Sequence, residues 1–451
     1  MSKESALTGR ARENLFSRVA SMRKPEAQDK VEPVDLKLVG NRFTDFSTLP
    51  GYDELRLQRL VGEKLGLENP YFRMHESRIT ARTHIDGREL INFSCYDYLG
   101  LNGHPEVVAA AKEAIDRYGI SASASRHVAG ERPVHRSLER ALAAHYNADD
   151  ALVFVSGYAT NVSVIGQLVG PKDLVISDAA VHNSAVMGSV LSGASRRSFA
   201  HNDLDNLEQI LAGVRNKFER VLIVVEGLYS MDGDFPDLTR LIEIKKRFHA
   251  WLMIDEAHSL GVLGRRGYGL FEHYGVDPRE VDIWMGTLSK TLAGCGGYIA
   301  GTALMVDYLR LMAGAFVYSV GMPPVVAASV EKALELMHRE PERVARLQSN
   351  GQYFQAYAKK KGLDTGNGSG LAVIPIIVGE SIATVMLSQE LYKRGINVQP
   401  VLYPAVPVKS SRLRFFVTAM HTQEDIETAV DTIVEEMAKL PERLRLLRVP
   451  G

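Results

Sequence analysis

Cysteine is nearly absent: Cys95 and Cys295 are the only two in 451 residues. Two thiols make no disulfide framework and have no metal-ligand spacing, so a reducing, cytoplasmic setting is expected. Net charge is almost as scarce, with 53 Lys and Arg against 54 Asp and Glu for a formal charge of −1. No global field therefore points to nucleic acid or an anionic membrane, and any anion site has to be local. No stretch approaches the roughly 18 apolar residues of a membrane span. The start, MSKESALTGRARENLFSRVASMRK, is basic but lacks the continuous apolar core of a leader, so no targeting segment is expected. Internal repeats and low-complexity tracts are missing too. The chain that remains is 45% hydrophobic and 24% charged, long enough for a large core in two or three units.

Residues 1–50 are charged and irregular, with a possible amphipathic stretch around Leu15 to Met22. They read as an N-terminal arm outside the core, either a disordered tail or a docking segment. A second segment spans 51–105. There Tyr52 to Leu67 has helical spacing, and a hairpin is expected around Asp86-Gly87. Helices follow from Pro105 to Tyr118, with Gly119 just past the end, and from Pro133 to Tyr146. Over 106–345 short apolar runs alternate with helical segments: Ala151-Leu-Val-Phe-Val, Asp173-Leu-Val-Ile-Ser, Val221-Leu-Ile-Val-Val, Trp251-Leu-Met-Ile and Asp282-Ile-Trp-Met. Such runs predict an α/β domain with a mainly parallel sheet covered on both faces. Over 346–451, two strands at Leu371 to Val378 and Leu413 to Val417 bracket a helix from about Ser381 to Arg394, a small α+β unit.

Ligands of parallel sheets bind at the carboxyl ends of the strands, and polar residues gather there. Lys290 follows an apolar strand through Thr287-Leu-Ser and precedes a glycine-rich run. A lone lysine is most often surface charge, yet this setting desolvates an amine and suits it to attack an aldehyde. Asp255 ends the strand Trp251-Leu-Met-Ile, where a carboxylate serves either as a helix cap or as the partner of a pyridine nitrogen. His258 is either a satisfied core histidine or a donor to the same ring's hydroxyl. Ser156-Gly157-Tyr158 lies where a strand turns into a helix, a place for a phosphate, with the Thr287 and Ser289 hydroxyls nearby.

Several motifs resemble those of the α-oxoamine synthases, fold-type-I enzymes dependent on pyridoxal 5'-phosphate (PLP). They are Asp255-Glu-Ala-His-Ser-Leu-Gly-Val-Leu-Gly, Glu226-Gly-Leu-Tyr-Ser-Met-Asp-Gly-Asp, Gly286-Thr-Leu-Ser-Lys-Thr-Leu, Asn92-Phe-Ser-Cys-Tyr-Asp-Tyr-Leu-Gly-Leu and Tyr318-Ser-Val-Gly-Met-Pro-Pro. The resemblance runs from about residue 70 to 440. It implies a large domain with a mainly parallel seven-stranded sheet, a small α+β C-terminal domain, and a homodimer with shared active sites. It also implies condensation of an amino acid with an acyl thioester, with loss of CO2, to an α-amino ketone. By position it makes Lys290 the Schiff-base lysine, puts Asp255 at the pyridinium nitrogen and His258 at the ring hydroxyl, and stacks His182 on the ring. Glu226, Ser230 and Ser319 are implied to line the cofactor, and Arg414 to grip the amino-acid carboxylate.

Some positions depart from the pattern. Tyr96 stands where many members have asparagine near the substrate carboxylate. Tyr318-Ser-Val-Gly-Met-Pro-Pro stands where biotin-pathway members carry Tyr-Ser-Thr-Ser-Met-Pro-Pro, so one phosphate-side hydroxyl that the family supplies from the neighbouring subunit is lost, although Ser319 remains. Ser125, beside Arg126, is smaller than the threonine of glycine-specific members, and both residues are assigned to the amino acid. Asn69-Pro-Tyr-Phe-Arg-Met-His-Glu and Phe43-Thr-Asp-Phe-Ser-Thr-Leu-Pro-Gly-Tyr resemble members that work beside polyketide synthases. An acyl donor on an acyl carrier protein, in place of coenzyme A, is therefore expected; the alternatives are an enzyme like the serine palmitoyltransferase or biotin-pathway members that uses acyl-coenzyme A, and a non-catalytic partner subunit, against which Lys290 speaks.

Overall fold

A computed structural model describes residues 41–446, with side chains described over 43–442. The arm stretch from Leu15 to Met22 lies outside the described residues. Compact units divide after Gly66. In the first, a helix spans Tyr52–Lys64 with none of its residues buried, and Leu55, Leu57 and Leu60 are exposed. The segment expected over 51–105 is therefore split at Gly66, because its later part packs into the second unit.

The second unit opens with the hairpin β1 (Arg82–Ile85) and β2 (Arg88–Asn92). Its turn residues Asp86 and Gly87 have φ of 52° and 68°, the left-handed pair of a two-residue hairpin. The helix Pro105–Tyr118 has Pro at its first turn and Gly119 at φ 73° after its end. The sheet that follows is built from β3 (Asp150–Phe154), β4 (Leu174–Asp178), β5 (Ser195–Phe199), β6 (Val221–Glu226), β7 (Trp251–Asp255), β8 (Ile283–Thr287) and β9 (Gly297–Gly301). It is seven-stranded, in the order β3-β9-β8-β7-β6-β4-β5. Only β9 runs against the rest, pairing antiparallel with β3 and β8.

Alternation along these strands makes the cores. Val153, Ile176, Ile223 and Ile254 point into one buried cluster, and Leu152, Val175, Val224 and Met253 into another on the opposite face. Strands apolar on both faces leave their carboxyl ends as the place where polar side chains meet. A second sheet is antiparallel, with β10 (Val373–Gly379), β13 (Ser411–Phe416) and β12 (Gln399–Val401) in that spatial order. β11 (Ile396–Asn397) joins β2 in parallel, so the N-terminal hairpin packs with the C-terminal region. Among the described residues no helix is long and apolar enough to cross a membrane.

Candidate active site

Register sets the floor of the site. Glu226, last in β6, pairs with Asp255, last in β7, and Thr287 ends the neighbouring β8. Lys290 follows in the turn after β8. Burial pushes its amine down to about 8, against the opposing pull of Asp255 and Glu226. Lys290 still keeps partial exposure, as a lysine that a ligand must reach requires. Glu226 is pushed up to about 8, first by burial and then by Asp255. Its carboxylate accepts the His182 backbone N–H at 2.6 Å.

Asp255 is held by two donors, Ala257 N–H at 3.0 Å and the Asn161 amide at 2.8 Å. The same amide nitrogen donates to Ser184 Oγ at 2.9 Å, and Ser184 Oγ lies 2.7 Å from His182 Nδ1. Because Ser184 accepts from Asn161, its own proton goes to His182. The Ser184 backbone N–H also donates to that nitrogen, at 3.3 Å. His182 Nδ1 is thus an acceptor and its proton sits on Nε2. Burial lowers its pKa and keeps the ring neutral.

His258 is fully desolvated and its pKa falls well below the usual range, with Lys290 and Arg414 adding to the effect. Its Nδ1 lies 2.7 Å from the buried Tyr98 hydroxyl, whose pKa burial raises, so the phenol donates and His258 Nε2 carries the proton. Phe416 stacks on His258 with centroids 6.2 Å apart and meets Tyr96 edge-on at 4.7 Å. The Tyr96 ring centroid is 5.7 Å from Lys290 Nζ. Arg414 lies over Phe416 at 4.7 Å and donates to the Ser230 carbonyl at 3.1 Å.

A helix start and two hydroxyls come together beside Lys290. Ser156 caps the helix Gly157–Leu168, accepting from Ala159 N–H. Phe154 and Thr287 both pair with Gly297, which brings this helix start beside Thr287. A Cβ on Gly157 would lie 2.8 Å from Thr287 Oγ1, and one on Gly297 2.7 Å from Gly157 Cα. Thr287 and Ser289 hydroxyls are 3.0 Å apart. Tyr158 reaches past them to Asn183 and packs edge-on to His182.

These residues fit PLP. A desolvated amine, a buried carboxylate with no salt-bridge cation among the described residues, and a glycine-cleared helix start beside two hydroxyls are the groups its aldehyde, ring nitrogen and phosphate need.

The class I and II aminotransferase family matches residues 88–433. An 8-amino-7-oxononanoate synthase of Symbiobacterium thermophilum is 40% identical over 77% of this chain and 88% of its own length. The chain belongs to the α-oxoamine synthases of this family. The 4-hydroxy-2,2'-bipyrrole-5-methanol synthase PigH of Serratia is also 40% identical, over 77% of this α-oxoamine synthase but only 53% of PigH. A Sphingomonas wittichii serine palmitoyltransferase superposes with a TM-score of 0.84 at 29% identity, covering 88% of this chain and 99% of its own. Another, from S. paucimobilis and solved with PLP and myriocin bound, gives 0.84 at 27%, covering 88% and 100%. This α-oxoamine synthase is accordingly a PLP-dependent acyltransferase.

Lys290, His182, Asp255, His258, Glu226, Ser230, Tyr96 and Arg414 thus converge, and Ser156, Gly157, Tyr158, Thr287 and Ser289 form the cradle beside them. Arg126 requires correction. It is buried in a one-turn π-helix, Arg126–Gly130, and its guanidinium is shared between Glu131 and Glu139, with Nε to Glu131 at 2.6 Å and Nη2 to Glu139 at 3.1 Å. A guanidinium with both edges taken is not free for substrate. The segments that carry Ser125 and Ser319 are joined by Gly321 N–H donating to the Ala124 carbonyl at 2.9 Å. Among the described residues no hydrogen bond or ring contact ties either to Lys290.

Tyr98, Asn161, Ser184 and Phe416 escaped the sequence reading as site residues. Tyr98 stood inside a quoted motif, and Asn161 follows Gly157 by one helical turn. Nothing in the sequence marked Ser184 or Phe416.

Proposed function

We propose that this α-oxoamine synthase joins an α-amino acid to an acyl group carried on an acyl carrier protein, releasing CO2, free thiol and an α-amino ketone. The observation that carries the reaction is the desolvated Lys290 amine set among Asp255, Glu226 and Arg414. PLP, when bound, supplies an aldehyde for the amine and a protonated ring that draws electrons from the substrate Cα. With PLP in place, Asp255 would keep the ring nitrogen protonated, His258 Nε2–H would be the donor for the ring hydroxyl, and His182 would cover the ring. Arg414 holds the carboxylate while Lys290 takes the Cα proton. A bond then forms between Cα and the acyl carbon as the C–S bond breaks and the thiolate leaves and is protonated. The carboxylate departs as CO2, and Lys290 returns a proton to Cα.

The PLP-loaded enzyme is first titrated with the proteinogenic amino acids, since an absorbance change identifies the amino-acid substrate. With that substrate and an acyl thioester, CO2 and free thiol are expected in equal amounts and only when both are present. Release of CO2 without thioester overturns the reading.

The carrier-protein donor is supported by the motifs shared with polyketide-associated members and by the exposed leucines of Tyr52–Lys64. One acyl group offered on both carriers tests it. A lower KM on the carrier protein is expected, and equal or better turnover with coenzyme A removes this part. A homodimer completing the site with Ser125 and Ser319 is proposed on the exposure of Tyr318, which is 89% accessible, and of Val320 beside it.

A further inference from the structure

His201 joins the end of β4 to the loop after β6, the loop that supports Arg414. It follows β5, and both of its ring nitrogens face carboxylates: Nδ1 is 2.8 Å from Asp178, at the end of β4, and Nε2 is 3.0 Å from Asp234, in the loop after β6. A neutral imidazole has a single N–H, so one lone pair would face a carboxylate. The charged ring satisfies both. Asp178 is itself fixed, accepting Ala180 N–H at 2.7 Å and Asn202 N–H at 2.8 Å. Asn202 also donates to Asp234, and the Tyr229 ring packs edge-on to His201 at 4.5 Å. Asp178, Asp234 and Tyr229 are the titratable groups facing the ring among the described residues. Burial opposes the charge, but the two carboxylates push the pKa up to about 10.

The loop so held runs from Tyr229 to Asp234 and is closed by Tyr229 N–H to the Asp234 carbonyl at 2.8 Å. Its other side meets the second sheet. Arg412 donates to Asp232 at 2.6 Å and to the Met231 carbonyl at 3.2 Å, and Arg414 donates to the Ser230 carbonyl. A Cβ on Gly233 would lie 2.1 Å from the Val373 carbonyl, so the loop has no slack toward that sheet.

We propose that His201 is a positioning residue for amino-acid binding: as an imidazolium between Asp178 and Asp234 it fixes the Tyr229–Asp234 loop and, through the loop, Arg414. This rests on the reading of Arg414 as the carboxylate clamp. A guanidinium whose backbone support shifts by a fraction of an ångström loses bidentate alignment with a carboxylate, whereas Lys290, Asp255, His258 and the Ser156–Tyr158 turn lie outside the loop, leaving Ser230 as the one loop residue assigned to the cofactor.

The test is a titration of the PLP-loaded enzyme with the tightest-binding proteinogenic amino acid, read by absorbance. His201→Gln is expected to weaken amino-acid binding on the order of 10-fold, with a clearly smaller loss of PLP affinity, since Ser230 is the one loop residue assigned to the cofactor, and with acyl-thioester KM changing less than about 2-fold. Asp234→Asn, which spares the buried Asp178 contact, shifts binding the same way and decides the matter if His201→Gln does not fold. In an Arg414→Lys background the His201 effect largely disappears. Unchanged amino-acid affinity, an equal loss of PLP affinity, or full additivity overturns the inference. If Arg414→Lys alone leaves amino-acid affinity intact, the clamp reading has failed instead, and His201 loses its target with it.

Discussion

An amine that attacks an aldehyde must first lose its proton, and Lys290 does so at about 8 because its surroundings desolvate the charged form more than Asp255 and Glu226 stabilise it. The rate at which the apoenzyme takes up PLP is therefore expected to rise with pH and to pass half-maximum near that value. Stopped-flow absorbance checks this, and a rate flat from neutral pH to well above it contradicts the assignment. Tyr98→Phe isolates the next link. It leaves a buried imidazole nitrogen without its donor, a loss of about 1–3 kcal/mol. The fold should survive while kcat falls roughly tenfold or more, measured at saturating substrate. Lys290, Asp255, His258 and Glu226, the residues proposed to meet the cofactor, were legible because titratable groups are rare at or just after the ends of apolar strands. Residues that orient them were not. Asn161 and Ser184 are ordinary helix residues whose meaning lies in donor direction, which only three-dimensional neighbours reveal.

At the scale of elements, the strands that were legible were those apolar on both faces. β5 reads Ser-Arg-Arg-Ser-Phe, and three of its residues are exposed at the sheet edge, so no apolar run announces it. β9 reads Gly-Tyr-Ile-Ala-Gly, and its glycines mark close packing rather than a loop, since Gly297 makes room for the helix that starts at Gly157. Gly157→Ala tests that packing. Its Cβ must displace Thr287, so PLP affinity is expected to fall at least about tenfold with secondary structure unchanged, read by circular dichroism and cofactor titration. The π-turn at Arg126 makes the opposite prediction. Arg126→Ala leaves Glu139, fully buried, with Arg136 as its one cation among the described residues. The expected cost is about 3 kcal/mol of stability in a denaturant titration, with little change in the amino-acid affinity of the folded fraction.

For the whole molecule, His201 links stability to pH. Its folded-state pKa is raised to about 10 from an ordinary 6.5, so its contribution is fully present below 6.5 and disappears as pH rises through 10. The thermal midpoint of the native chain should decline across that window more steeply than that of His201→Gln. A parallel decline in both assigns the alkaline loss elsewhere.

Assembly is the larger question at this scale. Leu191 and Leu304 are 68% and 86% exposed, on helices that both pack against Gly157–Leu168, and the exposed Tyr318 lies further along the chain from Leu304. Apolar side chains of this size in water are a surface that a second copy would cover. A dimer that completes the cradle predicts that specific activity and PLP retention fall together on dilution, at the concentration where sedimentation shows dissociation. Leu304→Glu, on the apolar flank and away from Lys290, should move that concentration upward by at least about tenfold while leaving activity at high protein concentration close to native. A monomer that keeps full activity at any dilution removes the partner from the site.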